Sequence, residues 1–219
     1  MQTEENSPQS GAPAAAWLLV GVMVLIELLL SAADSGFVVR SNWRAMFFAH
    51  GAFWQPLLDG APGLYAGQKY LMFISHAFLH GGLIHALMNG VILLALGKMI
   101  ATRAGTGFML VAFVICAVAG GVGFGYLTST SAPMIGASGA AFGFMGVWQG
   151  WDLQLRRTHG LSLLPVGRTL IGLIAINVLL AVMLSGALAW QAHLGGFIAG
   201  FLIALAVPPN RSVSVPPQG

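Results

Sequence analysis

Long apolar runs separated by short groups of charged residues dominate this sequence. A hydrocarbon core of about 30 Å is crossed by about 20 mainly apolar residues in a helix, so the runs between charges are candidate spans. The pattern predicts six membrane-spanning helices, over about 14–32, 70–96, 107–127, 137–151, 169–184 and 188–207. We predict no strands, because helices satisfy their own backbone in lipid and the runs are too long for barrel strands.

The two ends and the first loop differ from the apolar runs. Residues 1–13 and 208–219 are polar or proline-rich, and we predict that they are disordered tails of one membrane domain over 14–207. The segment 34–69 is too long for a simple connector and is rich in aromatic residues. This pattern is typical of a loop in the membrane interface, and equally of an ordinary loop packed over the helix ends.

Composition strengthens the assignment to a membrane protein, and charge gives an orientation. Of 219 residues, 57% are hydrophobic and only 7% are charged, which is far from the composition of a soluble domain. Basic residues are retained in cytoplasmic loops, and one side of the predicted bundle receives Lys98, Arg103, Arg156, Arg157, Arg168 and Arg211. We therefore predict that both termini are cytoplasmic. The net charge of +3 reflects this bias and does not indicate a nucleic acid partner.

Polar side chains inside apolar spans are costly, so each needs a partner or a function. The candidates are Glu27, His76, His80, His85, Asn89, Ser138, Asn177, Gln191 and His193. At about 1.5 Å per helical residue, Ser138, His193 and His85 each lie roughly 20 Å from the cytoplasmic end of their helix. The three side chains are therefore expected at one depth, closer to the outer face than to the inner face.

Glycine stripes indicate which helices meet at that depth. The fourth span carries a narrow stripe of small residues, Gly139, Gly143, Gly146 and Gly150, with Ser138 and Phe142 at its edge. In the sixth span, His193, Gly196 and Gly200 share one face. Such stripes let two backbones approach closely in lipid, which by itself is most often helix packing. Docking the two stripes would also bring Ser138 next to His193.

A serine beside a histidine can perform acyl transfer. Neutral imidazole can take the proton of a serine hydroxyl near pH 7, so Ser138 is the candidate nucleophile and His193 the candidate base. No carboxylate lies at this depth in the fourth or sixth span, which predicts a dyad whose histidine is held by packing or a hydrogen bond. Phe142, one turn along from Ser138, offers an aromatic face for the imidazole.

Donors for an oxyanion are also present. His85 and Asn89 project from one face of the second span, and the Ser138 amide lies at a helix start, where N–H groups are unpaired. His76 and His80 form a separate pair on roughly the opposite face, where we expect them to bond to the outer loops. This arrangement argues against one metal bound by all three histidines, although metal binding stays open as a minority reading.

Three segments together resemble a known family. Gly136-Ala137-Ser138-Gly139 resembles the Gly-x-Ser-Gly motif of rhomboid intramembrane serine proteases. Ala192-His193, with Gly196 and Gly200, resembles that family's Ala-His-x-x-Gly-x-x-x-Gly helix. The segment 76–89, which contains His85 and Asn89 at the oxyanion positions, is similar to its second-helix signature. The order and spacing agree across the predicted bundle.

The resemblance implies a six-helix rhomboid-like bundle, a Ser138 nucleophile, a His193 base and no metal or organic cofactor. It implies that transmembrane segments of other proteins are cut near the outer face of a bilayer, in the cytoplasmic membrane of a bacterium. It further implies entry between the second and fifth helices.

Two positions depart from the family pattern. A Trp-Arg pair is absent just before the second span, where Lys69-Tyr70 stands, while Trp43-Arg44 occurs much earlier. Phe142 replaces a frequent tyrosine and so lacks its hydroxyl. Neither departure touches Ser138 or His193.

Two alternative functions use the same residues differently. A catalytically inactive rhomboid-like relative would bind membrane clients, and a transporter or metal carrier would use the intramembrane histidines with Glu27 as an ion ligand. The inactive reading predicts loss of the serine or the histidine, and this chain retains both. The transporter reading predicts a polar path across the membrane, but the inner halves of the second, fourth and sixth spans are almost wholly apolar. The sequence names neither the substrate nor the oligomeric state.

Overall fold

A computed structural model describes residues 11–37, 42–183 and 188–209 of this chain, and these ranges contain eight α-helices. Most of each predicted tail, 1–10 and 210–219, lies outside the described residues. The helices are α1 (Ala14–Asp34), α2 (Trp43–Gly51), α3 (Gln68–Ser75), α4 (Leu83–Ala104), α5 (Thr106–Leu127), α6 (Ser138–Thr158), α7 (Leu164–Met183) and α8 (Trp190–Ala206). No strand occurs within these three ranges, and the predicted all-α membrane fold is confirmed.

The helices differ in how well they suit a bilayer. Four of them, α1, α4, α5 and α7, are long and apolar enough to cross a membrane, and α8 is apolar but shorter. Helix α6 is long, but it is rich in glycine and ends in charged residues. The count of six spans and the cytoplasmic placement of both termini stay predictions, and Arg211, one of the residues used to orient the chain, falls outside the described ranges.

The prediction of one continuous second span over 70–96 is wrong. The chain forms α3, then a 3₁₀ turn over His76–Phe78, and begins α4 only at Leu83. Gly82 has φ +152°, a conformation that residues with a side chain rarely adopt. The backbone groups freed at this break bond elsewhere: Gly136 N–H donates to His76 O at 2.9 Å. The break therefore supports the loop that leads into α6.

Helix α6 lies against α5 and α8, and glycines make the contact with α8 very close. A Cβ added at Gly196 or Gly200 would collide with the carbonyl oxygen of Gly139 or Gly143, respectively. A Cβ at Gly146 would reach the backbone of α8 at Phe197. The glycine stripes of the fourth and sixth predicted spans thus face each other in direct backbone contact.

An ion pair fastens the first loop to α1. Glu27 is fully buried and accepts a hydrogen bond from Arg44 Nη2 at 2.8 Å and one from Ser31 Oγ at 2.8 Å. Arg44 also pairs with Asp34 and donates from Nη1 to His80 O at 2.9 Å. Glu27 therefore does not extend to the interface as a snorkelling carboxylate. Arg44, distant from the predicted second span in sequence, is thus adjacent to it in space.

Arg44 remains charged in this network. The hydrogen bond to Glu27 raises the pKa of Arg44 above its ordinary value. Partial burial of the guanidinium lowers this pKa, and the hydrogen bond to Asp34 raises it further. Because the pKa of this cation is raised, its contribution to stability is lost only when the pH rises beyond the ordinary range of arginine. The charge of Arg44 is therefore constant at any pH in ordinary use.

Breaking this ion pair should destabilise the protein. In Arg44→Met the Glu27 carboxylate keeps its burial but loses its cation, which should lower the free energy of unfolding by about 3 kcal/mol. Arg156→Met is the matched control, because its i,i+4 pair with Asp152 is partly exposed and should be worth about 0.5 kcal/mol. Denaturant unfolding in detergent measures both. Equal losses in the two variants would show that the Glu27 pair does not anchor the loop.

The α6–α8 contact should not tolerate one methyl group. Gly200→Ala drives a Cβ into the Gly143 carbonyl and should cost about 1–3 kcal/mol, as overpacking does. Gly172→Ala in α7 is the matched control, since its added Cβ meets no atom within 4 Å and alanine is the better helix former. We expect a lower thermal midpoint for the first variant and an unchanged or higher one for the second. A Gly200→Ala protein as stable as Gly172→Ala would contradict the packing.

Candidate active site

Ser138 is the first residue of α6 and follows a tightly fixed loop. Gly136 has φ +111°, and a Cβ added there would lie 2.9 Å from the His85 ring. The preceding Met134 pairs with Phe53 through two backbone hydrogen bonds of 2.9 Å, so the first loop holds this loop from the other side. Only glycine fits at 136, and the Ser138 hydroxyl is presented at the helix start.

His193 lies on the first turn of α8 and meets Ser138. Its Nε2 is 2.8 Å from Ser138 Oγ, and the His193 residue is 5% exposed. Close packing behind the pair permits this distance: a Cβ on Gly139 would lie 3.3 Å from the Ala192 carbonyl oxygen. The structure thus brings together the two residues that the sequence placed at one depth on two different helices.

Two further groups hold the imidazole. The Phe142 ring stacks on it, with centroids 4.2 Å apart and planes inclined by 6°. His193 Nδ1 lies 2.6 Å from Asn177 Oδ1, on α7. Sequence reasoning foresaw the aromatic face, but it gave Asn177 no place in the site. The only signal was an amide within an apolar span, and no spacing rule relates α7 to α8.

His85 and Asn89 lie one turn apart on α4 and approach the loop before Ser138. A Cβ on Gly136 would meet His85 Nε2 at 2.9 Å and Asn89 Nδ2 at 3.6 Å. The Asn89 side chain is buried, and its Nδ2 has no hydrogen-bond partner among the described residues. The Ser138 amide opens α6, whose first turn has no side-chain cap. His85 and Asn89 thus lie beside the loop that leads into Ser138, whose own amide opens α6.

His76 and His80 lie near the same loop, and the ring centroid of His80 is 5.0 Å from that of His85. The prediction that this pair lies on the face opposite His85 is therefore wrong for His80, because one continuous helix does not carry the three histidines. His80 Nε2 accepts a hydrogen bond from Ala137 N–H at 3.4 Å, and His76 Nε2 lies 3.4 Å from the Ala117 carbonyl oxygen. Because α4 begins after them, these two histidines are not on the helix of His85. Over the described ranges, no three His, Cys, Asp or Glu side chains converge in a group that could hold a metal ion. His80 therefore bonds to the loop and His76 to α5, each through Nε2, while the Nδ1 atom of each ring has no hydrogen-bond partner among the described residues.

A cavity of about 680 Å³ opens beside the histidine, between α7 and α8. His193, Asn177 and Phe142 form one part of its wall, and the rest is almost wholly apolar, including Leu173 and Phe197. Helix α7 is loosely held, because Val166 is its only buried residue. The predicted entry between the second and fifth helices, which are α4 and α7, stays a prediction; this cavity lies on the α8 side of α7.

Comparison with known proteins agrees with these features. The family model for the Rhomboid domain matches residues 67–210. The chain is 34% identical over 160 residues to Rhomboid protease GlpG of Yersinia pseudotuberculosis, covering 69% of this chain and 54% of the relative. It is 26% identical over 206 residues to Rhomboid protease GluP of Bacillus subtilis, covering 94% of this chain and 37% of the relative. The chain thus spans about half or less of the curated relatives it matches.

The range matched by the family model includes the segments that carry Ser138, His193, His85 and Asn89. The relatives are bacterial, and with its apolar helices this chain is an integral protein of the bacterial cytoplasmic membrane, as the sequence predicted. The matched region also exceeds half of the chain. On the family model and the GlpG relatives, this chain belongs to the rhomboid family.

Proposed function

We propose that this chain is an intramembrane serine endopeptidase that cleaves transmembrane segments of other membrane proteins with a Ser138 and His193 dyad. The observation that carries the proposal is the 2.8 Å contact between Ser138 Oγ and His193 Nε2. Membership of a family whose relatives are named proteases supports it. No metal, cofactor or nucleic acid has a part in the proposed reaction.

The proposed reaction begins with proton transfer. Ser138 Oγ attacks the carbonyl carbon of the scissile peptide bond while its proton passes to His193 Nε2. The carbonyl oxygen becomes an oxyanion, which accepts hydrogen bonds from Asn89 Nδ2, His85 and the Ser138 amide. Collapse of this intermediate breaks the C–N bond, and the leaving nitrogen takes the proton from His193. An ester of Ser138 remains.

Water completes the cycle. His193 removes a proton from a water molecule that attacks the ester carbonyl, and the oxyanion forms again at the same donors. Expulsion of Ser138 Oγ, which regains the proton from His193, releases the new carboxyl terminus. The stacked Phe142 ring keeps the imidazole in one plane through both halves of the reaction.

A transmembrane substrate suits the surroundings of the dyad. The cavity beside His193 is lined almost wholly by apolar side chains, and it opens between helices rather than towards charged loops. An extended substrate segment reaching Ser138 can leave lipid without passing a charged barrier. We keep entry between α4 and α7 as part of the proposal, because α7 has a single buried residue along its whole length.

The inactive client-binding alternative is not favoured. It would leave no reason for the aligned serine and imidazole, nor for a buried amide donor without a partner beside them. An unsatisfied buried donor is costly, and a role in binding an oxyanion gives that cost a function.

Removing either member of the dyad should abolish cleavage. We expect Ser138→Ala and His193→Ala, reconstituted with a single-span test substrate, to lose at least about 10³-fold in cleavage rate, because the base and nucleophile act as a unit. Ser162→Ala and His159→Ala are matched controls at exposed positions beyond α6 and should cut normally. Gel analysis of the cleaved substrate measures the rates, and thermal unfolding verifies folding. Normal cutting by either dyad variant would defeat the proposal.

The oxyanion donors should affect turnover more than binding. Asn89→Ala removes a donor that contacts only the developing charge, so kcat should fall about 10²-fold or more with a small change in KM. Met88→Ala, at the exposed neighbouring position, is the control. Steady-state cleavage over a range of substrate mole fractions in the bilayer separates the two constants. A raised KM with unchanged kcat would assign Asn89 to substrate binding instead.

A further inference from the structure

The amide of Asn177 has a fixed orientation. Its Nδ2 donates to the Leu173 carbonyl oxygen, one turn back on α7, at 2.9 Å. The opposite orientation would place the amide oxygen against that carbonyl oxygen, and two acceptors would face each other. Oδ1 is therefore the atom that lies 2.6 Å from His193 Nδ1.

This orientation determines which imidazole nitrogen carries the proton. An amide oxygen only accepts, so His193 Nδ1 must be the protonated nitrogen. In the neutral ring, Nε2 then has its lone pair free, and Nε2 is the atom that faces Ser138 Oγ at 2.8 Å. The three side chains form one directed series, in which Leu173 O orients Asn177, Asn177 orients His193, and His193 accepts the serine proton.

Stacking on Phe142 alone would not determine which nitrogen of His193 faces Ser138. The near-parallel Phe142 ring fixes the plane of the imidazole, but the imidazole can still turn over within that plane and exchange its nitrogen and carbon positions. A hydrogen bond at Nδ1 removes that freedom. Within the described ranges, Asn177 Oδ1 is the hydrogen-bond partner of Nδ1, and no carboxylate contacts the ring.

We infer that Asn177 is a positioning residue that completes an Asn177–His193–Ser138 triad, with a neutral amide in the place that an acidic residue takes in other serine hydrolases. The inference rests on the proposed function and deepens it. As the ring becomes imidazolium, the Nδ1–H bond to Oδ1 strengthens. The site meets this need without a buried carboxylate, whose desolvation would be costly in an apolar bundle.

The test compares Asn177→Leu with Asn177→Asp. Leucine has a similar size but accepts no hydrogen bond, so kcat should fall about 10- to 100-fold, a part of the factor that a general base contributes, while KM changes little. Labelling of Ser138 by a fluorophosphonate should slow by a similar factor, and this small probe does not depend on entry of a transmembrane segment. Aspartate restores an acceptor at Nδ1 and should recover part of the loss.

Controls separate orientation from folding. Ile176→Ala, at the exposed neighbouring position on α7, should keep wild-type labelling and cleavage. Wild-type rates in Asn177→Leu would overturn the inference while leaving the dyad intact. An unreactive Ser138 in the wild-type protein would instead overturn the proposed function, and the triad with it.

A spectroscopic measurement tests the position of the His193 proton directly and does not depend on cleavage activity. In ¹⁵N-histidine NMR of the wild-type protein, with the His193 signals identified by their loss in His193→Ala, the neutral ring should be protonated at Nδ1. In Asn177→Leu that preference should weaken. A wild-type ring protonated at Nε2 would overturn the inference, even if Asn177→Leu proved too unstable to assay.

Discussion

The close approach of α6 and α8 is the constraint on which the rest of the structure depends. Ser138 and His193 lie in the first turns of these two helices, so the distance between their reactive atoms follows from the distance between the two backbones. At Gly196 and Gly200 there is no room for even a methyl group, which would collide with the carbonyl oxygen of Gly139 or Gly143, respectively. In lipid, where apolar side chains gain little from leaving the surrounding chains, such tight packing is a main source of helix association. The same contact therefore contributes to stability and sets the 2.8 Å separation of Oγ and Nε2.

A second constraint, the interruption of the helix between α3 and α4, fixes the loop that leads into Ser138. There the carbonyl oxygen of His76 accepts a hydrogen bond from Gly136 N–H, and His80 Nε2 accepts one from Ala137 N–H, so both residues hold the loop before Ser138. Arg44 binds the His80 carbonyl and the buried Glu27 at once, which connects the first loop and α1 to this break. Polar groups that would be costly alone in the membrane thereby satisfy one another's hydrogen bonds. His85 and Asn89 of α4 come to lie beside the loop that leads into Ser138.

The sequence predicted the parts of this arrangement that depend on one helix at a time. Helical periodicity places Gly196 and Gly200 on the face of His193, and counting from the charged ends gives the common depth of Ser138 and His193. The break at 79–82 was missed because hydropathy treats Gly81 and Gly82 as neutral within a long apolar run, although their backbone freedom decides the local path. The Glu27–Arg44 pair depends on how a 17-residue separation folds back, which no periodicity encodes.

The sequence did not predict that Asn177 contacts His193, for a related reason. Its amide stood out in an apolar helix, but its distance to His193 is set by how α7 rests on the bundle, and α7 has a single buried residue. A helix held by so few apolar contacts can change position at low cost, because little packing is lost. Under the proposed function, the helix that borders the apolar cavity also carries the group that orients the base. Displacing α7 to admit a substrate would then release His193 until α7 returns, so that substrate entry and assembly of the triad depend on the same movement.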